Sequence, residues 1–234
     1  MADKVAGGDF VRIEFTGKHK AGGAVFDTTD EKKAKEAGIH HEGAPYGPVL
    51  VVVGKGMMIK GLEDALEGMA VGEHKTVEVP PEKAYGLRNP ALVRVMPLLE
   101  FRKRDINPYP GMVVDLDGAP ALVRSVTSGR VMVDLNHSLA GEALVFDVKV
   151  AEKVDGLEKR AKALLDNSRL PSGKVKAEGG KLEVSMPATE EPGDASYFVS
   201  KTSFIRAVKE LLPEVSEIGF TEKFSVKPKK EAEG

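Results

Sequence analysis

The chain has 234 residues, enough for one large domain or two to three small ones at ~100–200 residues each. Apolar residues make up 41% and charged residues 30%, so a core can be buried and a disordered protein is excluded. Lys plus Arg is 34 against 36 Asp plus Glu, a net charge of −2 that lacks the basic footprint of a general nucleic-acid binder. Cysteine is absent, which excludes disulfides, thiolate nucleophiles, zinc fingers and iron–sulfur sites. The polar stretch Met1 to Phe10 carries no secretory h-region, and no run approaches the ~18 apolar residues of a membrane span. A soluble, cytoplasmic protein with no membrane partner is expected.

Phe10 to Phe15 alternates and reads as a strand, and Gly17 to Gly23 supplies a turn before Ala24-Val25-Phe26. Asp30 to Ala37 is short, charged and stopped by Gly38, a surface helical turn. Val49 to Val53 is an unbroken β-branched run, the signature of a strand buried on both faces. Gly61 to Leu66 is a short helix ending at Gly68. Thr76 to Val79 alternates up to Pro80-Pro81, where missing amide donors stop the strand.

From Leu87 to Asn136 the character changes. Prolines 90, 97, 108, 110 and 120 punctuate short alternating stretches at Leu92–Met96, Met112–Leu116, Ala121–Val126 and Val131–Leu135, a small separate sheet. Leu144 to Val150 then returns to the tone of the first segment, the pattern of an inserted domain. A third unit follows. Val154, Leu157, Ala161, Leu164 and Leu165 fall on one helical stripe, and Val175 to Met186 reads as a hairpin turning at Gly179-Gly180. Phe204, Ile205, Val208, Leu211 and Leu212 form a second stripe stopped by Pro213, Ile218 to Val226 reads as a last strand, and the tail is charged.

Five short pieces in this order resemble the FKBP family of peptidyl-prolyl isomerases: Ile13 to Gly17, Val25 to Thr29, Val53 to Gly56 leading to Ile59 to Glu63, Ala84-Tyr85-Gly86, and Leu144 to Val148. The fifty or so residues between the fourth and fifth resemble the insert-in-flap domain of the SlyD-like branch, and Asn136 to Gly141 resembles that branch's return segment. The C-terminal unit resembles, on thinner evidence, the extra domain of long archaeal members. The resemblance implies an α+β fold: an FKBP-like antiparallel sheet with a short helix, a small inserted all-β domain, and a C-terminal α+β domain. The implied boundaries are 1–86 and 136–154 for the FKBP domain, 87–135 for the insert, 155–228 for the C-terminal domain and 229–234 for the tail.

A prolyl isomerase faces a barrier of ~18–20 kcal/mol set by amide resonance. It needs neither nucleophile nor metal, because an apolar pocket that strips water from the imide, together with a few fixed donors, favours the twisted state. The resemblance implies catalytic roles for Tyr85, Asp27, Phe26, Phe146 and Ile59. The Tyr85 hydroxyl and Ile59 N–H would donate, and Asp27 would accept hydrogen bonds inside the pocket. Phe15, Val49, Met58 and Leu62 would bind substrate, with Leu139 at the rim. Phe15 stands where the family often has Tyr, and Leu62 where it often has Trp on the pocket floor. No imidazole is assigned a role, so a rate without steep pH dependence is expected.

Other candidates are weaker. His40-His41 beside Glu42 lies in a loop whose side chains are not expected to converge on a metal, Gly54-Lys55-Gly56 lacks the rest of a phosphate loop, and Arg102-Lys103-Arg104 reads as a solvated face. No cofactor is expected. The partners are X-Pro peptides and unfolded proteins, held by an insert whose apolar Met96, Leu98, Leu99, Phe101, Ile106, Tyr109 and Met112 would form a chaperone arm. The alternative is a non-enzymatic holdase with a degenerate pocket. A homodimer through the C-terminal unit, lean in core for its size, is also expected.

Overall fold

The structure, a computed structural model, describes residues 4–188 and 194–225. Its central strand pair joins two distant parts of the chain. β1 (Phe10–His19) pairs antiparallel with β9 (Leu144–Lys153) along nearly its whole length, placing Gly17 opposite Phe146. On the other edge of β1, β3 (Val49–Val52) pairs with its first half and β2 (Val25–Thr28) with its second. β4 (His74–Val79) closes the sheet on the far side of β9.

Helix α1 (Glu31–Glu36) starts where Asp30 accepts from the Lys32 and Lys33 amides, satisfying two of the orphan donors of a helix start. Helix α2 (Lys60–Leu66) packs against the sheet, and Gly61 permits it: a Cβ there would come within 2.4 Å of Val79 Cγ1. Alternation along β3 buries it on both faces. Val51 and Val53 join the core beneath α2 with Val11, Ile13 and Leu62, while Leu50 and Val52 point to a second core on the opposite side.

Between β4 and β9 the chain forms a separate four-stranded antiparallel sheet, ordered β5 (Val93–Pro97), β8 (Arg130–Asp134), β7 (Ala119–Thr127), β6 (Val113–Leu116). Pro120 sits inside β7, yet β8 pairs with β7 only from Leu122 onward, so the missing amide interrupts no ladder on that side. The short helix α3 (Leu98–Arg102) was not expected. It carries Phe101 into the centre of this sheet's own core, at 1% exposure among Val114, Ala121, Val123, Val131 and Val133.

The C-terminal unit contains α4 (Leu157–Asn167), the hairpin β10 (Lys174–Glu178) and β11 (Lys181–Ser185), α5 (Ala195–Leu211), and β12 (Glu217–Thr221), which lies parallel to β11. The last strand ends earlier than the sequence suggests. Val226 and the charged tail lie outside the described residues. The core of this unit is not self-contained: Phe10, Leu50 and Val52 of the first sheet are buried in one cluster with Leu164, Leu165, Leu182, Phe204 and Leu212. Arg160 of α4 lies over the Phe10 ring at 5.6 Å. The lean core expected from composition is completed by the back of the first sheet.

Candidate active site

The residues singled out from the sequence fall at one end of the β1–β9 core. Phe15, Leu62 and Phe146 are buried members of that core, with Leu62 at 0% exposure. Phe26, Val49, Met58, Ile59, Tyr85 and Leu139 pack against it while only partly buried. Phe26 meets Phe146 edge-on at 5.7 Å and 86°, and Phe15 lies tilted to Phe146 at 6.1 Å. These are the offset and edge geometries that aromatic quadrupoles prefer.

Backbone devices hold this arrangement. A Cβ on Gly17 would stand 2.7 Å from Phe26 Cζ and 2.9 Å from Phe146 Cε1, so glycine is what lets both rings close over β1. The segment after β2 is strapped to β1 by threonines: the Phe15 N–H donates to Thr29 Oγ1 at 2.9 Å, and the Thr16 and Thr28 hydroxyls bond at 2.9 Å. Glu63, buried in α2, accepts from the Gly56 and Met58 amides at 3.2 and 3.1 Å and shapes the loop before Ile59. The Ile59 carbonyl begins α2 by accepting from Leu62 and Glu63, whereas its N–H meets no protein acceptor among the described residues.

Burial, and secondarily the charge of Asp27, raises the Tyr85 phenol above its ordinary pKa. Desolvation likewise raises the Asp27 carboxyl, opposed by a hydrogen bond from the Thr28 backbone. The Asp27 residue itself lies at an exposed position of β2. Asp147, beside Phe146, accepts from Lys18 at 2.7 Å and Thr76 at 2.8 Å, and the Lys18 bond leads in holding its carboxyl below the usual range.

Two histidines missed in the sequence stand at this end. His137 stacks on Tyr85, centroids 4.1 Å apart and rings 1° from parallel. His19 meets Phe26 edge-on at 5.5 Å and bonds Glu142 at 2.5 Å. By contrast, His40 stacks on Tyr46 and lies 3.4 Å from Glu31, an assignment as loop structure.

The residues proposed for an arm separate. Phe101 is core, and Met96, Leu98, Ile106 and Met112 pack against that core, because inward positions of a small sheet must fill it. Leu99 and Tyr109 remain open at 61% and 62% exposure. They are joined by Val95, Val113 and Met132, of which Val95 and Met132 lie directly opposite on β5 and β8.

Where the chain leaves and re-enters the first sheet, the two crossings are bonded together. Asn89 N–H donates to Asn136 Oδ1 at 2.8 Å and Asn136 Nδ2 returns a bond to the Asn89 carbonyl at 3.0 Å. Asp134, 2% exposed, receives Arg88 Nε at 3.1 Å, Arg124 Nη2 at 3.0 Å and the Asn136 amide at 2.9 Å. Burial alone would raise this carboxyl, but these bonds outweigh it and hold it far below the usual carboxylate range.

The family model for the FKBP26 IF domain matches residues 94–139, the stretch holding the separate sheet. The chain is 40% identical over 152 residues to the short-type peptidyl-prolyl cis-trans isomerase of Methanocaldococcus jannaschii, covering 65% of this chain and 96% of that protein. It is 34% identical over 110 residues to the probable FKBP-type 16 kDa peptidyl-prolyl cis-trans isomerase of Pseudomonas fluorescens, covering 45% of this chain and 72% of that one. Similarity extends to the FKBP-type isomerase SlyD of Pasteurella multocida, 38% over 120 residues, covering 49% of this chain and 60% of the relative. An antiparallel sheet on a short helix, interrupted by a sheet of IF-domain sequence, thus defines an isomerase acting at proline. The chain belongs to the FKBP-type peptidyl-prolyl cis-trans isomerase family.

Proposed function

We propose that isomerisation of X-Pro bonds takes place over the apolar floor of Phe15, Leu62 and Phe146, inside the rim of Phe26, Val49, Met58, Ile59, Tyr85 and Leu139. The observation that carries this reading is the convergence of six half-buried side chains from five segments on one buried cluster. Such a site takes a proline ring, excludes water from the imide, and offers donors to the carbonyls on either side. The Ile59 N–H and the Tyr85 hydroxyl serve as those donors. No cofactor enters this chemistry. The test is a protease-free assay on a short X-Pro peptide: Tyr85→Ala lowers kcat/KM about tenfold or more, and unchanged activity in the folded variant rejects the site.

The inserted sheet, residues 87–135, is proposed to hold unfolded chains near this pocket. Its support is the apolar surface left open at Val95, Leu99, Tyr109, Val113 and Met132, with β5 and β6 as free edges to which an extended segment can add. Action in the cytoplasm fits the absence of cysteine. Among the described residues no helix is long and apolar enough to cross a membrane. A homodimer is proposed through α5, where Phe198 and Val199 stay exposed. A monomeric mass by light scattering of the full chain at tens of micromolar rejects it.

A further inference from the structure

His137 is exposed on the return segment between the two sheets, yet its bonds are specific. The Leu139 N–H donates to His137 Nδ1 at 3.2 Å, so this nitrogen bears no hydrogen and the ring is the neutral tautomer protonated on Nε2. The His137 carbonyl accepts from Ala140 at 2.9 Å, winding the segment around the residue. Four residues after His137, Gly141 donates to the Gly86 carbonyl at 2.8 Å. The return segment therefore grips the Tyr85–Gly86 turn at both ends, once through an aromatic stack and once through the backbone.

We propose that His137 is a positioning residue for the isomerase pocket: its neutral ring holds Tyr85 and Leu139 in place together, and its protonation separates them. The inference rests on the assignment of Tyr85 and Leu139 to the pocket. A second proton must enter at Nδ1, where it points at the Leu139 N–H and replaces an attraction with a donor–donor clash. The stack itself survives, because a cationic ring over an aromatic face is attractive. What changes is the rim, as Leu139 loses the bond that sets its distance from Tyr85.

Other titratable groups face this ring and must be separated from it. Tyr85 lies in the stack with Asp27 acting on its phenol. Arg88, Arg124, Asp134 and Glu142 line with His137 a groove of about 750 Å³. The arginines are held by Asp134, and Glu142 by His19, which touches Phe26. Two substitutions at an exposed position isolate His137 from all of them. His137→Phe keeps a ring on Tyr85 and removes the titrating nitrogen, and His137→Asn keeps a short-side-chain acceptor for Leu139 and removes the ring.

The experiment is the pH profile of kcat/KM on an X-Pro peptide, from about pH 5 to 8, for the full chain. Loss of one hydrogen bond corresponds to about a fivefold fall in the wild type on acidification. Both variants are expected to vary less than about twofold, and the Asn variant alone shifts the Tyr85 ring proton resonances at neutral pH. A flat wild-type profile, or a wild-type fall that persists in His137→Phe, overturns the proposal. Tyr85→Ala is run beside them: if it retains full activity the pocket assignment itself fails, a result distinct from an unaltered His137 profile.

Discussion

Asp27 and Gly17 show how much of the pocket is decided by single atoms. A carboxylate with a raised pKa is held in its charged form at a cost, so its contribution to stability is present below the unfolded value and lost as pH rises through the folded one. Asp27→Asn removes that charge. The variant is expected to be at least as stable as the wild type in denaturant at pH 7, with a smaller dependence on pH; a clear loss of stability there contradicts this account. At Gly17 the argument is steric. Alanine drives a methyl group into the ring edges of Phe26 and of the core residue Phe146, an overpacking of about 1–3 kcal/mol. Its peptide activity should fall as Phe26 is displaced, whereas wild-type activity and melting temperature would show that the rings yield freely. Phe146→Ala is a poor probe of catalysis, since truncating so buried a ring costs about 3–5 kcal/mol of stability. The motif residues of the pocket were legible because five short pieces in order resemble those of one family. His137, although inside a segment singled out in the sequence, carried no signal of its stack, because its partner lies across the whole inserted sheet.

At the level of elements, the crossing between the two sheets is organised by Asp134. It is the last residue of β8, and an acidic residue at the buried end of a strand was the available hint. Its depressed pKa gives the opposite sign to Asp27: stability is present above the ordinary carboxylate value of about 4 and drains away as acid protonates the group. Asp134→Ala leaves two guanidinium groups without their acceptor and should cost about 2 kcal/mol, allowing for their solvent exposure. Hydrogen exchange should rise first around 88–89 and 134–136. Protection unchanged there would mean that the crossing is held by other contacts. The strands of the inserted sheet were legible from alternation, but its open face was not. Density of apolar residues between Met96 and Met112 suggested the arm, whereas outward register selects Val95, Val113 and Met132. Replacing residues 87–135 by a short flap should preserve activity on a short peptide and remove most of the catalysis of a slow-refolding protein, because tethering raises the local client concentration. Equal refolding catalysis by the shortened chain rejects the arm.

Over the whole molecule, the order of strands in space departs from the order of synthesis. β9 is paired with both β1 and β4, yet the complete inserted sheet precedes it in the chain. The face bearing Phe10, Leu50 and Val52 waits still longer, for helices and strands made last. A chain truncated at residue 154 should therefore self-associate, through an apolar surface that the full chain covers; a monodisperse fragment by light scattering would show that surface to be tolerated. On the ribosome, the insert is the first sheet whose strands are all available. It can form while β1 through β4 still lack their neighbour and the nascent chain behind it is unmade. Pairing across so large a sequence separation is slow. During that interval the chain is itself an incompletely folded polypeptide containing prolines, attached to a finished sheet whose outer face leaves Val95, Val113 and Met132 exposed. On the proposed role of the insert, each newly made copy is a first client, for its own insert or for a mature copy nearby.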